Sequence, residues 1–439
     1  MIVPSTRLLI WTLIALPFTV TATASDGAFV LSVSIVALFA GLAIIDALTG
    51  LNRIRLVEAI FPGTIRMSKD RSGAIPIFLT CRLEARTPVR IGIPLPRSIE
   101  SEKDFLQTSP PADSEHARLD WPCVARVRGS FMMDHVYLEV SSLFGFWAAR
   151  RACPSQAEIR VYPNLLGERR RLAALFLNRG MFGIHAQRRI GQGRDFEQLR
   201  EYQSGDGYED IHWKATARHG KPYTKIYQIE RTQEVYVIID SSRLSARNIG
   251  QDTALDRFIT SALVLGLAAE QHGDLFGLMT FSDKIDRFIR ARSGKTHYAA
   301  CRDALYTITT EHVSPDFDSL CSLIRTRLRR RALLIVLTDL LDPVLSESFV
   351  RNMRLINRQH LVLVNTIKRP SVDPLFSTPV GEDTDELYQR LSGHMQWTQL
   401  RELDRTLHHM GISMSEMDDE RMSAQLIAQY MSVKQRQLI

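Results

Sequence analysis

The segment Gly193–Lys221 concentrates charges of both signs, two histidines and a tryptophan in a stretch with no long apolar run. Asp206, Asp210 and His212 are residue types that can hold a hydrolytic metal ion, so a metal-dependent hydrolase of the cell envelope is one hypothesis. Their spacing does not match a helix-borne His-Glu-x-x-His pair, and no third histidine lies nearby in the sequence. The residues therefore support a hydrolase only weakly.

The same segment carries five basic and six acidic residues, so its charges nearly cancel. A nucleic-acid surface needs one sign of charge, and the near-neutral sum argues against a nucleic-acid partner. Trp213 lies among these charges and can stack on an arginine or anchor the segment against a neighbouring domain. Two interpretations stay open: an ordered brace between domains, or a surface that binds a protein partner. The charged residues are Arg194, Arg200, Lys214, Arg218 and Lys221, with Asp195, Glu197, Glu201, Asp206, Glu209 and Asp210.

A second set of polar residues lies at the ends of two apolar runs that have the composition of buried strands. Asp240 ends the run EVYVIID and Ser242 follows it, while Asp339 follows the run ALLIVLT. Carboxylate and hydroxyl oxygens at neighbouring strand ends are hard ligands of the kind that Mg²⁺ prefers. Weak Mg²⁺ binding at these strand ends is therefore one expectation.

Strand-like and helix-like runs alternate around these polar residues. This alternation predicts a largely parallel, doubly wound α/β sheet over residues 234–370, and ligands of such sheets bind at the carboxyl ends of the strands. Residues 371–439 are predicted to form a C-terminal helical region, with helices near 384–409 and 416–436. The strand-like runs are 234–240, 274–281, 332–340 and 361–367, and the predicted helices between them are 253–271 and 346–359.

The residues before this sheet divide into two further parts. Short apolar alternations separated by turn residues predict a small antiparallel β-sandwich-like module over residues 56–165. Residues 166–233 are then a charged linker that contains the segment described first. The alternations lie at 74–85, 89–96, 123–131 and 135–142.

Residues 1–55 are predicted to form a transmembrane helical hairpin, because two uncharged apolar runs, about 8–24 and 27–45, follow each other closely. A cleaved signal peptide is the alternative for the first run, but the second run argues against it. Arg7 precedes the first run, and Arg53 and Arg55 follow the second. The positive-inside rule therefore predicts that both ends, and the bulk of the chain, are cytoplasmic.

Composition adds few constraints on function. The net charge is +7 and the pI is near 9.2, which suits an anionic lipid surface, but the basic residues are spread along the chain. The five cysteines are scattered and never take zinc-ligand spacing, so they are expected to be reduced thiols. No Gly-x-Ser-x-Gly elbow or complete phosphate-binding loop occurs, so no catalytic residue is assigned.

The strand-end residues resemble the metal site of the von Willebrand factor A fold, which uses Asp-x-Ser-x-Ser, a threonine and a later aspartate. The resemblance implies that Asp240, Ser242 and Asp339 are ligands and that Thr296 supplies the threonine. Leu244 stands where the second serine is expected, and Ser245 is one residue out of register. A working Mg²⁺ site is one reading. In the other, the site is vestigial and its carboxylates cap helices or bond loop amides.

The order of these parts resembles the bacterial family known as domain of unknown function 58 (DUF58), with a specific signature near residues 200–218. His212 departs from the aspartate that commonly precedes the tryptophan. The absence of a complete catalytic motif predicts a non-enzymatic scaffold or adaptor. The resemblance implies a place in the bacterial inner membrane and work with a MoxR-type AAA+ ATPase, in assembly or maturation of client proteins. The signature residues are Arg200, Glu201, Tyr202, Gly205, Asp206, His212, Trp213, Lys214 and Arg218.

Overall fold

The chain divides into two units, residues 1–164 and 165–439. The computed structural model describes residues 1–21, 26–83, 87–109, 116–168, 190–203, 207–228, 233–375, 377 and 384–436.

Two apolar helices lie near the start of the first unit, α1 (Thr6–Thr21) and α2 (Asp26–Arg55). Among the described residues only Phe29–Arg55 is long and apolar enough to cross a membrane, which supports membrane association. The prediction of two spans is therefore corrected to one. The apolar part of α1 that qualifies, Thr6–Ala15, is ~15 Å long and covers about half of a hydrocarbon core.

The β-rich module is a sandwich of two mainly antiparallel sheets. One sheet has the order β1-β10-β9-β5-β7 with β3 parallel to β10, and the other has the order β2-β4-β8-β6. Alternate residues of each strand face a shared core, as Ile75 and Ile77 of β4 and Val136 and Leu138 of β9 illustrate. The strands are β1 (Ile2–Pro4), β2 (Val57–Ile60), β3 (Thr64–Ser68), β4 (Ser72–Cys81), β5 (Val89–Gly92), β6 (Ile99–Glu100), β7 (Leu106–Thr108), β8 (His116–Ala125), β9 (Gly129–Ser141) and β10 (Trp147–Tyr162).

The second unit contains a hairpin inside the predicted linker. Strand β11 (Ile190–Glu201) pairs antiparallel with β12 (Tyr223–Gln228). A 3-10 turn (Tyr208–Asp210) and the short helix α3 (Trp213–His219) lie between the two strands. The described part of the charged segment is therefore a folded element.

The α/β domain is built on a six-stranded sheet with the order β17-β16-β13-β18-β19-β20. All neighbours are parallel except β17, which is antiparallel to β16 at one edge. The six strands are β13 (Glu234–Asp240), β16 (Leu275–Phe281), β17 (Ile285–Arg292), β18 (Leu333–Leu337), β19 (Leu361–Ile367) and β20 (Ser413–Met417). Two further strands of two residues each, β14 (Asn248–Ile249) and β15 (Asp252–Thr253), pair with each other just before the helix that follows β13.

Helices cover both faces of this sheet, which confirms the predicted doubly wound architecture. The helices are α4 (Ala254–Gln271), α5 (Lys295–Leu305) and α9 (Met422–Gln435) on one face, and α6 (Phe317–Arg327), α7 (Pro343–Ile356) and α8 (Thr384–His409) on the other.

The C-terminal residues belong to the same domain, which corrects the prediction of a separate helical region. Strand β20 extends the sheet at its edge, and α9 packs through Leu426 and Tyr430 into the core formed with α4. Helix α8 packs on the opposite face through Leu403 and Leu407. The predicted helix at 416–436 is therefore a strand followed by a shorter helix.

Candidate functional site

The first candidate site is the carboxyl edge of the α/β sheet, where Asp240 ends β13. Its side chain is fully buried. The Oδ1 atom accepts a hydrogen bond from the Ser242 amide at 2.9 Å, and Oδ2 accepts one from the Thr338 hydroxyl at 2.6 Å. Burial raises the pKa of the Asp240 carboxyl above its ordinary range, and its hydrogen bonds oppose this shift only in part.

Ser242 serves the local backbone. Its hydroxyl accepts a hydrogen bond from the Leu244 amide at 3.3 Å and caps the 3-10 turn Arg243–Ala246. This is the role that a serine takes at a helix N-cap. The loop after β13 is thus held by hydrogen bonds from its own residues.

Asp339 follows β18 and carries the strongest charge interaction at this edge. Only 4% of its side chain is exposed, and Oδ2 accepts hydrogen bonds from Arg369 Nη2 at 2.8 Å and Nε at 3.3 Å. Arg247 Nε lies 3.7 Å from the same oxygen. Burial lowers the pKa of Arg247, and the negative charge of Asp339 opposes this shift. Two guanidinium groups therefore surround this carboxylate.

The structure does not bring Thr296 to this edge. Because β17 is antiparallel to β16, its last residue, Arg292, pairs with Phe276 near the start of β16. Asp240 pairs instead with Phe281 at the end of β16. Thr296 begins α5 directly after Arg292, and so it lies at the opposite edge of the sheet from Asp240.

Register also puts the two carboxylates at different levels of the sheet. Ile239 pairs with Leu337, so the residue level with Asp240 on the neighbouring strand is Thr338, and Asp339 lies one residue further along. The threonine whose hydroxyl bonds Asp240 is therefore Thr338, which lies beside it on the neighbouring strand. The Asp339 carboxylate pairs with arginines instead.

The oxygens at this edge are engaged within the protein. Both Asp240 oxygens already accept internal hydrogen bonds, and the charge of Asp339 is balanced by Arg369 and Arg247. Within the described ranges, no group of three or more His, Cys, Asp or Glu residues is arranged to hold a metal ion. Asp240 bonds a loop amide, as the vestigial reading describes, and Mg²⁺ binding stays a prediction.

The second candidate site is the signature hairpin, where His212 is the one proposed hydrolase residue whose side chain the structure describes. His212 is the N-cap of α3, and its Nδ1 accepts a hydrogen bond from the Ala215 amide at 3.0 Å. This bond uses the nitrogen lone pair that a metal would need. Asp206 and Gly205 lie outside the described residues, and Asp210 is described only as part of the 3-10 turn.

Other signature residues hold the hairpin together. Glu201 accepts an ion pair from Lys221 at 3.3 Å, and the Tyr202 amide donates to the Pro222 carbonyl at 2.9 Å. The ring of Tyr202 stacks on Tyr208 with centroids 6.0 Å apart. Arg200 pairs with Thr224 in the β11–β12 ladder.

A third group of residues on the hairpin faces solvent. Trp213 is 69% exposed and Tyr208 is 77% exposed, and the neighbouring Lys214 and Arg218 are also exposed. These four residues are here called the signature surface. Exposed aromatic rings are the feature of this segment that the partner-binding interpretation expects.

Sequence reasoning missed three of the residues that define these sites. The sequence does contain a clue to Tyr208, which is an aromatic residue just after the Gly-rich turn of the signature. The sequence contains no clue to Arg247 and Arg369, because only the folded sheet brings each of them close to Asp339.

Comparison with known proteins bears on both sites. The model of the family described as "Protein of unknown function DUF58" matches residues 198–374, which confirms the resemblance over that range. The chain is also similar to the uncharacterized proteins Rv1480 of Mycobacterium tuberculosis and Mb1516 of Mycobacterium bovis, each 24% identical over 195 residues. The match covers 43% of this chain and 60% of each relative, so the chain spans less than two thirds of their length.

Solved structures similar to the chain include the SpRpn10 VWA domain, at 9% identity and a TM-score of 0.28, covering 45% of this chain and 95% of that one. An aerotolerance-related membrane protein from Bacteroides fragilis is similar at 13% identity and a TM-score of 0.26, covering 39% of this chain and 99% of that one. By the topology of its own mixed sheet, the α/β domain is von Willebrand factor A-like, as the sequence predicts.

Proposed function

We propose that this chain, which carries a DUF58 segment on a von Willebrand factor A-like domain, is a membrane-anchored, non-enzymatic scaffold or adaptor. The observation that carries the proposal is the signature surface. An exposed tryptophan and tyrosine beside exposed basic residues have the composition of the energetic centre of a protein interface. These residues lie in the segment that the family model matches.

The proposed partner is a MoxR-type AAA+ ATPase, and the proposed process is assembly or maturation of client proteins. Family resemblance supplies this partner. The signature surface is compatible with it, because Lys214 and Arg218 would meet an acidic patch on the ATPase while Trp213 is buried on binding. A nucleic-acid partner is not proposed, since the hairpin carries both signs of charge.

The proposed location is the bacterial inner membrane, with the bulk of the chain in the cytoplasm. Arg53 and Arg55 lie in the last turn of α2 and favour a cytoplasmic position for the residues after it. The five cysteines are buried free thiols, which suits a reducing compartment.

Capture experiments test the partner directly. The tagged full-length protein is solubilised in detergent, and bound proteins are identified by mass spectrometry. The wild type is expected to retain an AAA+ ATPase and Trp213→Ala to lose it. Tyr388→Ala is the matched control, because it removes an exposed aromatic ring from α8 and should retain the ATPase. Failure of the wild type to retain any ATPase would refute the proposal that an AAA+ ATPase is the partner.

Orientation is tested separately. A reporter fused after Ile439 should be active on the cytoplasmic side of the inner membrane. Activity confined to the outer side would reverse the proposed orientation and leave the partner hypothesis to be judged by capture alone.

A further inference from the structure

A buried carboxylate near the end of the apolar helix is the starting observation. Asp46 of α2 is fully buried. It accepts hydrogen bonds from the Ser142 hydroxyl at 2.5 Å, from the Phe144 amide at 2.8 Å and from the Phe146 amide at 3.0 Å. A buried charge is tolerated only where donors of this kind satisfy it. The helix is therefore fixed at Asp46 to the turn between β9 and β10.

This turn, Ser142–Trp147, is here called the aromatic loop. The Trp147 indole donates a hydrogen bond to the Ala43 carbonyl at 2.8 Å, and the Phe146 ring lies 5.8 Å from the ring of Phe39. Gly145 adopts a φ of +75°, which lets the loop turn back on the helix. The loop thus runs beside the helix on the N-terminal side of Asp46.

The contact with Phe39 sets how far the loop reaches along the apolar helix. Phe39 precedes Asp46 by about two helical turns, which is ~10 Å along the helix axis. Leu38 on the same stretch is largely exposed, as expected for a lipid-facing residue, and Phe144 on the loop is 50% exposed. The loop therefore reaches the apolar helix about two turns before Asp46, and the loop and this stretch of helix each carry an exposed apolar side chain.

We infer that the aromatic loop inserts into the interfacial layer of the bilayer, with Asp46 marking the boundary between the membrane span and the β-rich module. Aromatic side chains favour this layer, and the loop continues the apolar surface of the span. The span within hydrocarbon is then 29–45, and residues 46–55 of α2 belong to the module. The inference rests on the membrane anchoring proposed above.

Site-directed spin labelling of the full-length protein in phosphatidylcholine and phosphatidylglycerol vesicles tests this inference. A cysteine is introduced by Phe144→Cys, by Leu38→Cys within the span, or by Val127→Cys. Val127 is the matched control, because it is as exposed as Phe144 but lies at the other end of β9, ~40 Å away along the strand. The native thiols are buried, so an introduced exposed cysteine labels first.

The measured quantity is the collision rate of each label with lipid-soluble oxygen relative to a water-soluble nickel chelate. The label from Phe144→Cys should give a ratio at least several-fold above that from Val127→Cys and below that from Leu38→Cys. Leu143→Cys repeats the measurement on the neighbouring loop residue and decides the case if Phe144→Cys does not fold.

Two outcomes overturn the inference and separate it from the anchoring proposal. If Leu38→Cys is deep but the loop labels match Val127→Cys, the chain is anchored and the loop does not insert. If Leu38→Cys is itself as accessible to nickel as Val127→Cys, the helix does not span the membrane, and the inference fails together with the anchoring.

Discussion

Replacement of Arg369 by alanine tests the electrostatic account of the sheet edge. The change removes the two hydrogen bonds, at 2.8 and 3.3 Å, that the guanidinium donates to Asp339. The Asp339 side chain is 4% exposed, so water cannot replace these donors freely. The variant should therefore leave a buried carboxylate with only Arg247 close by.

The size of the effect follows from burial. Breaking a fully buried ion pair from one side costs roughly 3–5 kcal/mol. Arg369 is 30% exposed and Arg247 remains 3.7 Å from the carboxylate, and both facts reduce the cost. We expect the α/β domain to lose about 2 kcal/mol of stability, which corresponds to roughly 30-fold faster opening.

Amide hydrogen exchange of the detergent-solubilised full-length protein, followed by mass spectrometry, measures this opening. Peptides covering β13 and β18 should exchange roughly 30-fold faster in Arg369→Ala than in the wild type. Peptides covering β9, in the other unit, should be unchanged and serve as an internal reference.

Arg351→Ala is the matched control, because Arg351 also pairs with an aspartate, Asp318, at 3.4 Å, but both side chains are about two-thirds exposed. A pair of this kind contributes only about 0–1 kcal/mol. Equal exchange rates in Arg369→Ala and Arg351→Ala would refute the argument that Asp339 depends on a buried charge partner.

Three further results are expected. Mg²⁺ and EDTA should leave the thermal unfolding midpoint of the wild type unchanged, because arginines balance the charge of Asp339. A shift of several degrees with Mg²⁺ would instead support a working metal site. Because the pKa of Asp240 is raised in the folded state, the free energy of unfolding of the wild type should fall as pH rises from the ordinary aspartate range to the folded-state pKa. The stability of Asp240→Asn relative to the wild type should therefore increase over that pH range. An unchanged difference in unfolding free energy between the two proteins across these pH values would contradict the burial argument. Asp46→Ala should destabilise the β-rich module by roughly 3 kcal/mol, since three donors lose their acceptor, whereas the exposed Asp134→Ala should cost little. Equal unfolding midpoints for these two variants would show that Asp46 does not hold the loop.

The strands of the α/β domain could be predicted where their residues are buried on both faces. β13, β18 and β19 are continuous apolar runs, and the sequence predicts each of them within a few residues. β20 reads SMSEM and lies at the edge of the sheet, so it has no apolar run to reveal it. Its existence depends on pairing with β19, which is a property of the fold.

The candidate sites were predictable only where neighbours in sequence are neighbours in space. Asp240 and Ser242 form one loop, and their proximity follows from the sequence. The expected role of Thr296 fails because an antiparallel strand reverses the chain between Phe281 and Arg292. The pairing of Asp339 with Arg369 likewise requires the order of strands β18 and β19.

The central claim is that the signature surface binds an ATPase partner, and the affinity of the purified full-length protein for the captured AAA+ ATPase tests it most directly. A buried tryptophan at the centre of an interface contributes about 2 kcal/mol or more, so Trp213→Ala should raise Kd by roughly 30-fold. Tyr388→Ala should leave Kd within about twofold of the wild type. Wild-type affinity in Trp213→Ala, with the same fold by circular dichroism, would contradict the claim that this surface is the docking site.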